Sequence, residues 1–363
     1  MPSLAVLEAH GTPEFVEALR AAWDRGDAVF PLDPRLPGPA RAQVLAAARP
    51  LDPVEDGDAL VVATSGTAGP PKAVVLTHDA VRAAALAVSR RLEVDPSRDR
   101  WLACLPLAYV GGLGVVTRAV ITGTPLEVHP GFDAEAVDRS PATLVSVVPT
   151  MLDRGLKASR FRVVLAGGGA DWRPRGPNVV HTYGLTESCG GVVHDGEPLD
   201  GVEARADEQG QLHLRGPTLL RCYRDGNDPK DARGWLATGD MGSVTGGRVH
   251  VEGRMADVIV TGGEKVMPHR VEQVLRHHPE VADVAVAGRP DPEWGQRVVA
   301  FVVPRRPGTP PTLAALRSQA KTALPAFAAP KEVVLVDEVP RTASGKTSGK
   351  TSGKVRTPPR EGG

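Results

Sequence analysis

The amino-acid sequence predicts an α/β protein with a large N-terminal domain and a small C-terminal domain. Short apolar runs alternate with stretches of helical periodicity, which is typical of buried strands joined by helices. The chain has 363 residues, and chains beyond about 250–300 residues usually divide into two or more domains. From residue 201 to residue 251 short β segments alternate with Gly and Asn/Asp turns, which predicts a small β-rich subdomain.

Composition and charge argue against several classes of protein. The 43 Lys and Arg residues balance the 43 Asp and Glu residues, so no overall basic field favours nucleic acid or a membrane surface. Cys104, Cys189 and Cys222 lie far apart and form no C-x-x-C pair, which argues against a disulfide scaffold or a zinc site. No apolar run reaches about 18 residues, and the N-terminus shows no basic region followed by a long apolar run. We therefore expect a cytoplasmic protein with small-molecule partners, without nucleic acid or membrane.

The first predicted elements surround a polar loop. Residues 59–63 are apolar and predict a short buried strand, and residues 74–76 predict its hairpin partner. Apolar residues recur at helical spacing over 78–92, with Thr77 as a plausible N-cap. Further buried strands are predicted at 101–105, 144–148, 163–166 and 179–181.

The strongest chemical signal is the segment 64–72, Thr-Ser-Gly-Thr-Ala-Gly-Pro-Pro-Lys. Hydroxyl groups donate hydrogen bonds, glycines let backbone N–H groups approach an anion, and lysine adds a point charge, so this composition suits a polyphosphate. The segment lacks the spacing of a Walker A loop. A surface turn is the alternative interpretation. The candidate phosphate ligands are Thr64, Ser65, Gly66, Thr67, Gly69 and Lys72.

Glycine-rich and polar segments follow two later predicted strands, at 167–169 and 183–187. Ligands of open α/β sheets bind at the carboxyl ends of strands. Glycine permits close approach to a planar ring, tyrosine can stack on it, threonine can bond a phosphate oxygen, and glutamate can hold Mg²⁺. A plain loop, a core aromatic and a solvated carboxylate are the alternatives. The candidates are Gly167, Gly168, Gly169, Tyr183, Gly184, Thr186 and Glu187.

Two further features complete the outline of the chain. Thr238-Gly239-Asp240 places a carboxylate after a predicted turn, where it could accept two hydrogen bonds from ribose hydroxyls. Beyond a boundary at Gly253–Arg254, the sequence predicts a compact α+β domain of about one hundred residues. Its predicted strands are 258–261, 281–287, 297–303 and 332–336, and its predicted helices are 268–277 and 312–324.

Taken in order, six segments resemble the motifs of the adenylate-forming superfamily of acyl-CoA synthetases, nonribosomal-peptide adenylation domains and luciferases. The resemblance covers nearly the whole chain, and residues 28–37 also look like the segment that precedes the phosphate loop. It implies an acyl-CoA synthetase-like fold with an N-terminal domain over 1–253 and a mobile C-terminal domain over 254–363, joined at a hinge that includes Ala256 and Asp257. The six segments are 64–72, 167–170, 183–187, 238–240, 253–272 and 340–346.

The resemblance also implies a reaction. A carboxylate attacks the α-phosphorus of ATP to give an acyl-adenylate and pyrophosphate; the C-terminal domain then rotates, and a thiol, usually of coenzyme A, displaces AMP. ATP, Mg²⁺ and coenzyme A are therefore expected, and the phosphate segment would hold the departing pyrophosphate. The implied roles are Mg²⁺ binding for Glu187, phosphate contact for Thr186, ribose contact for Asp240 and Arg254, a coenzyme A passage at Thr261, Gly262 and Gly263, and an acyl site at Tyr109, Gly112 and Gly168.

Several positions depart from the pattern of the superfamily. Ala68 stands where threonine is frequent, Ala73 where glycine is frequent, and Ala256 at a hinge position that is commonly Asp or Lys. Tyr109 stands where many members carry histidine, and it can still donate a hydrogen bond. A buried packing aromatic is the alternative for Tyr109.

The catalytic lysine segment is repeated. The tetrapeptide that ends in Lys346 is followed by two Thr-Ser-Gly-Lys repeats, which end in Lys350 and Lys354. On the N-terminal side of the lysine, the superfamily pattern Pro-Arg-Thr-x-x-Gly-Lys selects Lys346. On its C-terminal side, the pattern Gly-Lys-Val-x-Arg or similar favours Lys354. A lysine here would place a cation between the substrate carboxylate and the α-phosphate. We predict that Lys346 is the catalytic lysine, with Lys354 and then Lys350 as alternatives. Most of the basic residues from Arg341 onward are expected to be solvated.

The position of the phosphate segment bears on the substrate. It comes much later in many members, so we expect an abbreviated N-terminal domain. Short members of this kind resemble the bacterial o-succinylbenzoate-CoA ligases of menaquinone biosynthesis, including the sequence Pro-Leu-Asp-Pro-Arg-Leu-Pro at 31–37 and the Gly-Gly-Leu after Tyr109. Another stand-alone aryl or short-chain acyl-CoA ligase, a carrier-dependent adenylation enzyme and a non-catalytic nucleotide-binding homologue are the alternatives. The sequence leaves the oligomeric state open, a homodimer included.

Overall fold

The computed structural model describes residues 2–64, 70–168 and 176–339. The strands, in chain order, are β1 Leu4–Glu8, β2 Ala28–Leu32, β3 Asp58–Ala63, β4 Ala73–Thr77, β5 Trp101–Ala103, β6 Leu126–Val128, β7 Leu144–Val147, β8 Val163–Gly167, β9 Val179–Leu185, β10 Gly190–His194, β11 Glu197–Pro198, β12 Glu203–Ala206, β13 Gln211–Arg215, β14 Cys222–Tyr223, β15 Leu236–Thr245, β16 Arg248–Arg254, β17 Ile259–Thr261, β18 Glu264–Val266, β19 Val281–Asp291, β20 Gly295–Pro304 and β21 Glu332–Leu335. The α-helices are α1 Pro13–Asp24, α2 Gly38–Ala48, α3 His78–Arg91, α4 Val110–Thr122, α5 Ala134–Arg139, α6 Pro149–Asp153, α7 Pro268–Arg276 and α8 Leu313–Lys321.

These strands form four sheets in the described part of the chain. The first has the order β1-β2-β3-β4-β14, and the second has the order β11-β10-β9-β8-β7-β5-β6. The third is β12-β13-β15-β16, and the fourth is β18-β17-β20-β19 with β21 beside β20. Strands β5 to β9 of the second sheet are parallel to one another and are joined by helices or loops. The predicted α/β class is confirmed.

The chain divides into two compact units. The first unit comprises Met1–Thr238 and Ser243–His250, and the second comprises Gly239–Gly242 and Val251–Gly363. The main division falls a few residues before the predicted boundary at Gly253–Arg254, and it passes through β15 and β16.

The first sheet contains the strand pair that the apolar runs predict. Strands β3 and β4 pair antiparallel, with Val61 opposite Val75, and the side chains of both strands are almost fully buried. Helix α3 begins directly after β4, and the Thr77 hydroxyl accepts a hydrogen bond from the Ala80 N–H at 3.1 Å. The predicted hairpin, helix and N-cap are all confirmed.

The second sheet confirms the four later strands of the first unit, with one correction. Strand β9 runs from Val179 to Leu185, so it includes the first residues of the 183–187 segment, which the sequence predicts to follow the strand. The longer strand forms because β10 pairs antiparallel with it, opposing Gly184 with Gly191 and Leu185 with Gly190. Pairing with a later strand is a tertiary effect that a local apolar run does not reveal.

The second unit also follows its predicted order of elements. Strands β17, β19, β20 and β21 and helices α7 and α8 all lie where the sequence predicts them. Strand β18 was not predicted; it forms a hairpin with β17. Val271 and Leu275 of α7 are fully buried in one hydrophobic core cluster of this unit. Phe301 of β20 lies in a second core cluster. Among the described residues, no helix is both long and apolar enough to cross a membrane.

Candidate active site

The two ends of the phosphate segment are held together in the first sheet. The Thr64 N–H donates a hydrogen bond to the Lys72 carbonyl at 2.8 Å, and the Lys72 N–H donates to the Thr64 hydroxyl oxygen at 3.2 Å. These bonds continue the ladder between β3 and β4, so the first and last residues of the segment lie side by side. The remaining candidates of this segment, together with one later glycine and the three lysines, lie outside the described residues; they are Ser65, Gly66, Thr67, Gly69, Gly169, Lys346, Lys350 and Lys354.

Two predicted site residues, Lys72 and Glu187, contact the same side chain. The Lys72 ammonium lies 4.6 Å from the centre of the Tyr223 ring, and the Tyr223 hydroxyl donates a hydrogen bond to Glu187 Oε1 at 3.0 Å. Burial, together with the negative charge of Glu187, raises the pKa of Tyr223, so its hydroxyl stays protonated at neutral pH. The sequence prediction missed Tyr223, because an aromatic residue close to Leu219, Leu220 and Cys222 indicates only a core position.

Glu187 lies in the 3-10 turn Thr186–Ser188, directly after β9. The Ser188 hydroxyl accepts from the Leu185 N–H at 2.9 Å and donates to the Gly190 carbonyl at 3.0 Å, which fixes this turn. In the described part of the chain, no three His, Cys, Asp or Glu side chains cluster as a metal site would require. Mg²⁺ is usually held by one or two carboxylates together with substrate phosphates and water. The half-buried Glu187 carboxylate fits that mode of binding.

Local packing accounts for several of the predicted glycines. A Cβ atom at Gly184 would overlap the Gly190 carbonyl oxygen, so the pairing of β9 with β10 requires glycine there. A Cβ atom at Gly167 would lie 2.5 Å from the Thr182 hydroxyl oxygen, and Gly168 has a φ of +86°. Tyr183 is 8% exposed, so only a small part of its surface is open to a ligand.

Asp240 and Arg254, the predicted ribose pair, lie together in the second unit. Arg254 Nε is 2.9 Å from Asp240 Oδ1, and the Asp240 side chain is 6% exposed. The prediction that Asp240 follows a turn is wrong, because Thr238, Gly239 and Asp240 all lie within β15. Gly239 has a φ of +72°, a left-handed conformation that favours glycine. A glycine needed for this reason within a strand looks like a turn residue in the sequence. The Thr238 hydroxyl donates to the Leu212 carbonyl at 2.7 Å, within the β-rich sheet.

The predicted hinge and coenzyme A passage also belong to the second unit. Ala256 and Asp257 are exposed in the 3-10 turn Met255–Asp257, between β16 and β17. Gly262 and Gly263 form the two-residue turn between β17 and β18, with φ of +61° and +85°. Two positive φ values are typical of the tight hairpin turns in which glycine is favoured. The glycines therefore have a structural reason besides the predicted passage.

Thr261, the third residue predicted for the passage, is 2% exposed. Its hydroxyl has no hydrogen-bond partner within residues 2–64, 70–168 and 176–339. A buried hydroxyl without a partner is uncommon in folded proteins. Thr261 therefore keeps an unused donor and acceptor next to the glycine turn.

Tyr109 begins the helix of the predicted acyl site. It occupies the N-cap position of α4, and its side chain is half-buried. Burial raises the pKa of Tyr109, and the negative charge of Asp33 raises it further. Arg35 donates two hydrogen bonds to the Asp33 carboxylate, at 2.9 and 2.8 Å. The Pro-Leu-Asp-Pro-Arg segment thus lies beside Tyr109.

Gly112, on the same helix, is enclosed by backbone atoms. A Cβ atom there would lie 2.5 Å from the carbonyl oxygens of both Leu105 and Pro106. Gly111 is less confined, because its nearest neighbour would be a Leu105 methyl group at 3.5 Å. The structure therefore gives Gly112 a packing role, whereas the sequence predicts an acyl-site role.

The two roles of Gly112 predict different outcomes for its substitution. Gly112→Ala is expected to lower the free energy of unfolding by about 1–3 kcal/mol through overpacking, as measured by urea denaturation. Gly111→Ala, the matched control in the same helix, should leave stability unchanged or slightly raised. A Gly112→Ala protein of normal stability with a raised KM for the acid would instead support the acyl-site role.

A buried cation on α4 is a candidate that the sequence prediction missed. Arg118 is 8% exposed, and its guanidinium carbon lies 4.5 Å from the centre of the Trp101 ring. Burial lowers the pKa of Arg118 to about 10, so the group is still charged at neutral pH. Among the described residues Nη1 has no hydrogen-bond partner, and the same holds for both ring nitrogens of buried His194.

The surroundings of Arg118 leave its charge without an anion in the described structure. The positive charge of Arg118, after burial itself, lowers the pKa of His194 to about 3, so that ring is neutral. A cation–π contact stabilises a desolvated cation by about 2 kcal/mol, whereas burying a charge costs several kcal/mol. Arg118 Nη2 would be 3.6 Å from a Cβ atom at Gly114, so the guanidinium reaches back along α4. An anionic ligand group would compensate this charge.

Comparisons with known proteins agree with this arrangement. Residues 48–224 match the family described as AMP-binding enzyme, and residues 270–346 match the AMP-binding enzyme C-terminal domain. A probable 2-succinylbenzoate–CoA ligase from Mycobacterium tuberculosis (strain CDC 1551 / Oshkosh) is 39% identical over 331 residues, which cover 84% of this chain and 86% of the relative.

Solved structures of similar fold are available with ligands. The o-succinylbenzoate CoA synthetase (MenE) of Bacillus subtilis in complex with its acyl-adenylate intermediate has a TM-score of 0.84 at 26% identity, covering 98% of this chain and 89% of that one. The same synthetase with ATP and magnesium ion has a TM-score of 0.84 at 26% identity, covering 95% and 88%. The predicted resemblance is confirmed, and the chain belongs to the AMP-binding enzyme family.

Proposed function

We propose that this protein is an AMP-forming 2-succinylbenzoate–CoA ligase. It would join o-succinylbenzoate, ATP and coenzyme A into o-succinylbenzoyl-CoA, AMP and pyrophosphate through an acyl-adenylate, a step of menaquinone biosynthesis. The observation that carries the proposal is the identity with a probable ligase of this specificity over more than four fifths of both chains. The match of the whole chain to a synthetase bound to its acyl-adenylate supports the intermediate.

The described residues support specific parts of this reaction. Lys72, at the end of the phosphate segment, would bind the phosphates that leave as pyrophosphate. Glu187 would hold Mg²⁺, which when bound neutralises charge on the triphosphate. Asp240, oriented by Arg254 at 2.9 Å, would accept hydrogen bonds from the ribose hydroxyls. Lys346 would place its charge between the acid and the α-phosphate.

The choice of acid rests in part on Arg118. An o-succinylbenzoate molecule carries two carboxylates, of which one becomes the acyl-adenylate and the other stays ionised. A buried guanidinium without an anionic partner among the described side chains suits the second carboxylate, because arginine binds carboxylates through two parallel hydrogen bonds. A simple benzoate or a short-chain acid would leave that charge uncompensated. We infer that Arg118, which lies on the helix that begins after Tyr109, binds this second carboxylate.

A cytoplasmic location forms part of the proposal. Cys104, Cys189 and Cys222 are all free thiols, which fits a reducing compartment. Burial raises the pKa of Cys104 to about 12, so this thiol is not activated for redox chemistry at neutral pH.

Isotope exchange between ATP and pyrophosphate tests the proposed function. Wild-type protein is expected to catalyse exchange with o-succinylbenzoate and much more weakly with benzoate, medium-chain fatty acids or acetate. Coenzyme A should then stimulate AMP release. Exchange with another acid but not with o-succinylbenzoate would contradict the proposed substrate, and no exchange with any acid would favour the non-catalytic alternative.

A further inference from the structure

We propose that Tyr223 is a positioning residue of the adenylation reaction, which orients both the Lys72 ammonium and the Glu187 carboxylate toward the Mg²⁺-bound triphosphate of ATP. This inference rests on the proposed function, because it assigns Lys72 and Glu187 to the triphosphate. The inference goes beyond the proposed function because it gives a role to Tyr223, which lies in neither the 64–72 segment nor the 183–187 segment.

The two contacts of Tyr223 use different parts of its side chain. Its ring face lies 4.6 Å from the Lys72 ammonium, and its hydroxyl donates to Glu187 Oε1 at 3.0 Å. The hydrogen bond occupies one oxygen of the Glu187 carboxylate and fixes the orientation of the carboxylate plane. The ring attracts the ammonium without neutralising it, so the charge of Lys72 remains available to phosphate.

The backbone of segment 220–223 is hydrogen-bonded both to Glu187 and to strand β4. The Leu220 N–H donates to the Glu187 carbonyl at 2.7 Å, and the Arg221 N–H donates to the Val75 carbonyl at 2.9 Å. Tyr223 itself pairs with Val74 in the first sheet. Segment 220–223 therefore joins the turn that carries Glu187 to the strand that begins directly after Lys72.

Burial makes Tyr223 rigid. The residue is 8% exposed and its neighbour Leu220 is 1% exposed, whereas Lys72 is exposed. An exposed lysine has many rotamers, and ordering it costs up to about 2 kcal/mol of conformational entropy. A fixed aromatic face beneath the ammonium reduces that cost before ATP binds, which is preorganisation of the site.

Two substitutions separate the two contacts. Tyr223→Phe keeps the ring beneath Lys72 and removes only the hydrogen bond to Glu187, whereas Tyr223→Leu removes both. Phe161→Leu is the matched control, because Phe161 is a buried aromatic of the same unit, 3% exposed, with the Arg160 guanidinium 5.5 Å from its ring centre. ATP affinity is measured by calorimetry at a series of Mg²⁺ concentrations without any acid, and folding is checked by thermal melting.

Tyr223→Phe is expected to raise the Mg²⁺ concentration for half-maximal ATP binding about tenfold, as the loss of a hydrogen bond to a charged group implies. ATP affinity without Mg²⁺ should stay unchanged in this variant and fall several-fold in Tyr223→Leu. Glu187→Gln should shift the Mg²⁺ dependence in the same direction, and adding Tyr223→Phe to it should produce no further shift, since the two side chains act as one unit.

Three results would overturn the role of Tyr223: a wild-type Mg²⁺ dependence in Tyr223→Phe, additive shifts in the double variant, or equal behaviour of Tyr223→Leu and Phe161→Leu. If Tyr223→Phe melts early, the Mg²⁺ dependence of all variants is measured at a temperature well below its melting transition, where the protein is folded. Failure of the proposed function has a separate signature, because wild-type protein would then bind ATP with Mg²⁺ and show no pyrophosphate exchange with o-succinylbenzoate.

Discussion

Lys346→Ala is expected to abolish measurable acyl-adenylate formation, a loss of at least about 10²–10³-fold in the rate of ATP–pyrophosphate exchange. The acid and the α-phosphate are both negatively charged, and no other side chain is assigned a place between them. Lys346 lies outside the described residues, so this expectation rests on its place in Pro-Arg-Thr-x-x-Gly-Lys at residues 340–346. Nucleotide binding should change little, because the phosphate and ribose ligands are intact.

The repeated tetrapeptides supply the matched controls for this experiment. Lys350→Ala and Lys354→Ala change the same residue type in nearly the same local sequence, and both should retain exchange activity close to that of the wild type. Full activity of Lys346→Ala would refute the assignment. Loss of activity confined to Lys354→Ala would transfer the role to the last repeat.

Arg118→Met is expected to raise the KM for o-succinylbenzoate by roughly 30–5000-fold, which corresponds to the 2–5 kcal/mol typical of removing one partner from a buried, hydrogen-bonded charge pair. The KM for ATP should change little, because Arg118 lies on α4 and is assigned to the acid alone. Exchange with a benzoate that lacks a second carboxylate should be unchanged or faster. Steady-state exchange rates measured at varied concentrations of each acid and of ATP check these expectations.

The stability of the same variant distinguishes recognition from packing. Because methionine removes a buried charge that has no described anionic partner, Arg118→Met should not lower the free energy of unfolding and could raise it. Arg118→Lys keeps the charge and loses the planar fork, so its KM for o-succinylbenzoate should be intermediate. An unchanged KM in Arg118→Met, or a loss of stability with equal effects on all acids, would contradict a role in binding the second carboxylate.

Elements with continuous apolar runs or clear helical spacing could be predicted from the sequence. Strands β3 and β7 and helix α3 are of this kind. A continuous apolar run predicts a strand buried on both faces, and apolar residues at helical spacing predict a helix buried along one stripe. The segment 183–187 lacks such a pattern. Its first residues belong to β9 because β10 pairs with them, and Gly184 permits that pairing, so the glycine indicated a ligand loop where the structure has a strand.

The candidate site shows the same division. The ordered motifs predicted Lys72, Glu187, Asp240 and Arg254. In the structure Arg254 contacts Asp240 directly, whereas Lys72 and Glu187 each contact Tyr223. Tyr223 could not be predicted, because it acts on Glu187 across 36 positions of sequence, and its hydroxyl and ring contacts depend on β14 joining the first sheet.

Arg118 was missed for a related physical reason. A single arginine in an apolar helix is indistinguishable in sequence from one whose charge extends to solvent. Only the structure places it over Trp101 without an anion among the described residues.

Direct detection of the intermediate tests the central claim. Wild-type protein is mixed with o-succinylbenzoate, ATP and Mg²⁺ without coenzyme A, and the quenched mixture is examined by mass spectrometry. We expect o-succinylbenzoyl-adenylate and pyrophosphate, followed by o-succinylbenzoyl-CoA and AMP when coenzyme A is added. Formation of ADP, or of an adenylate with a different acid but none with o-succinylbenzoate, would contradict this claim.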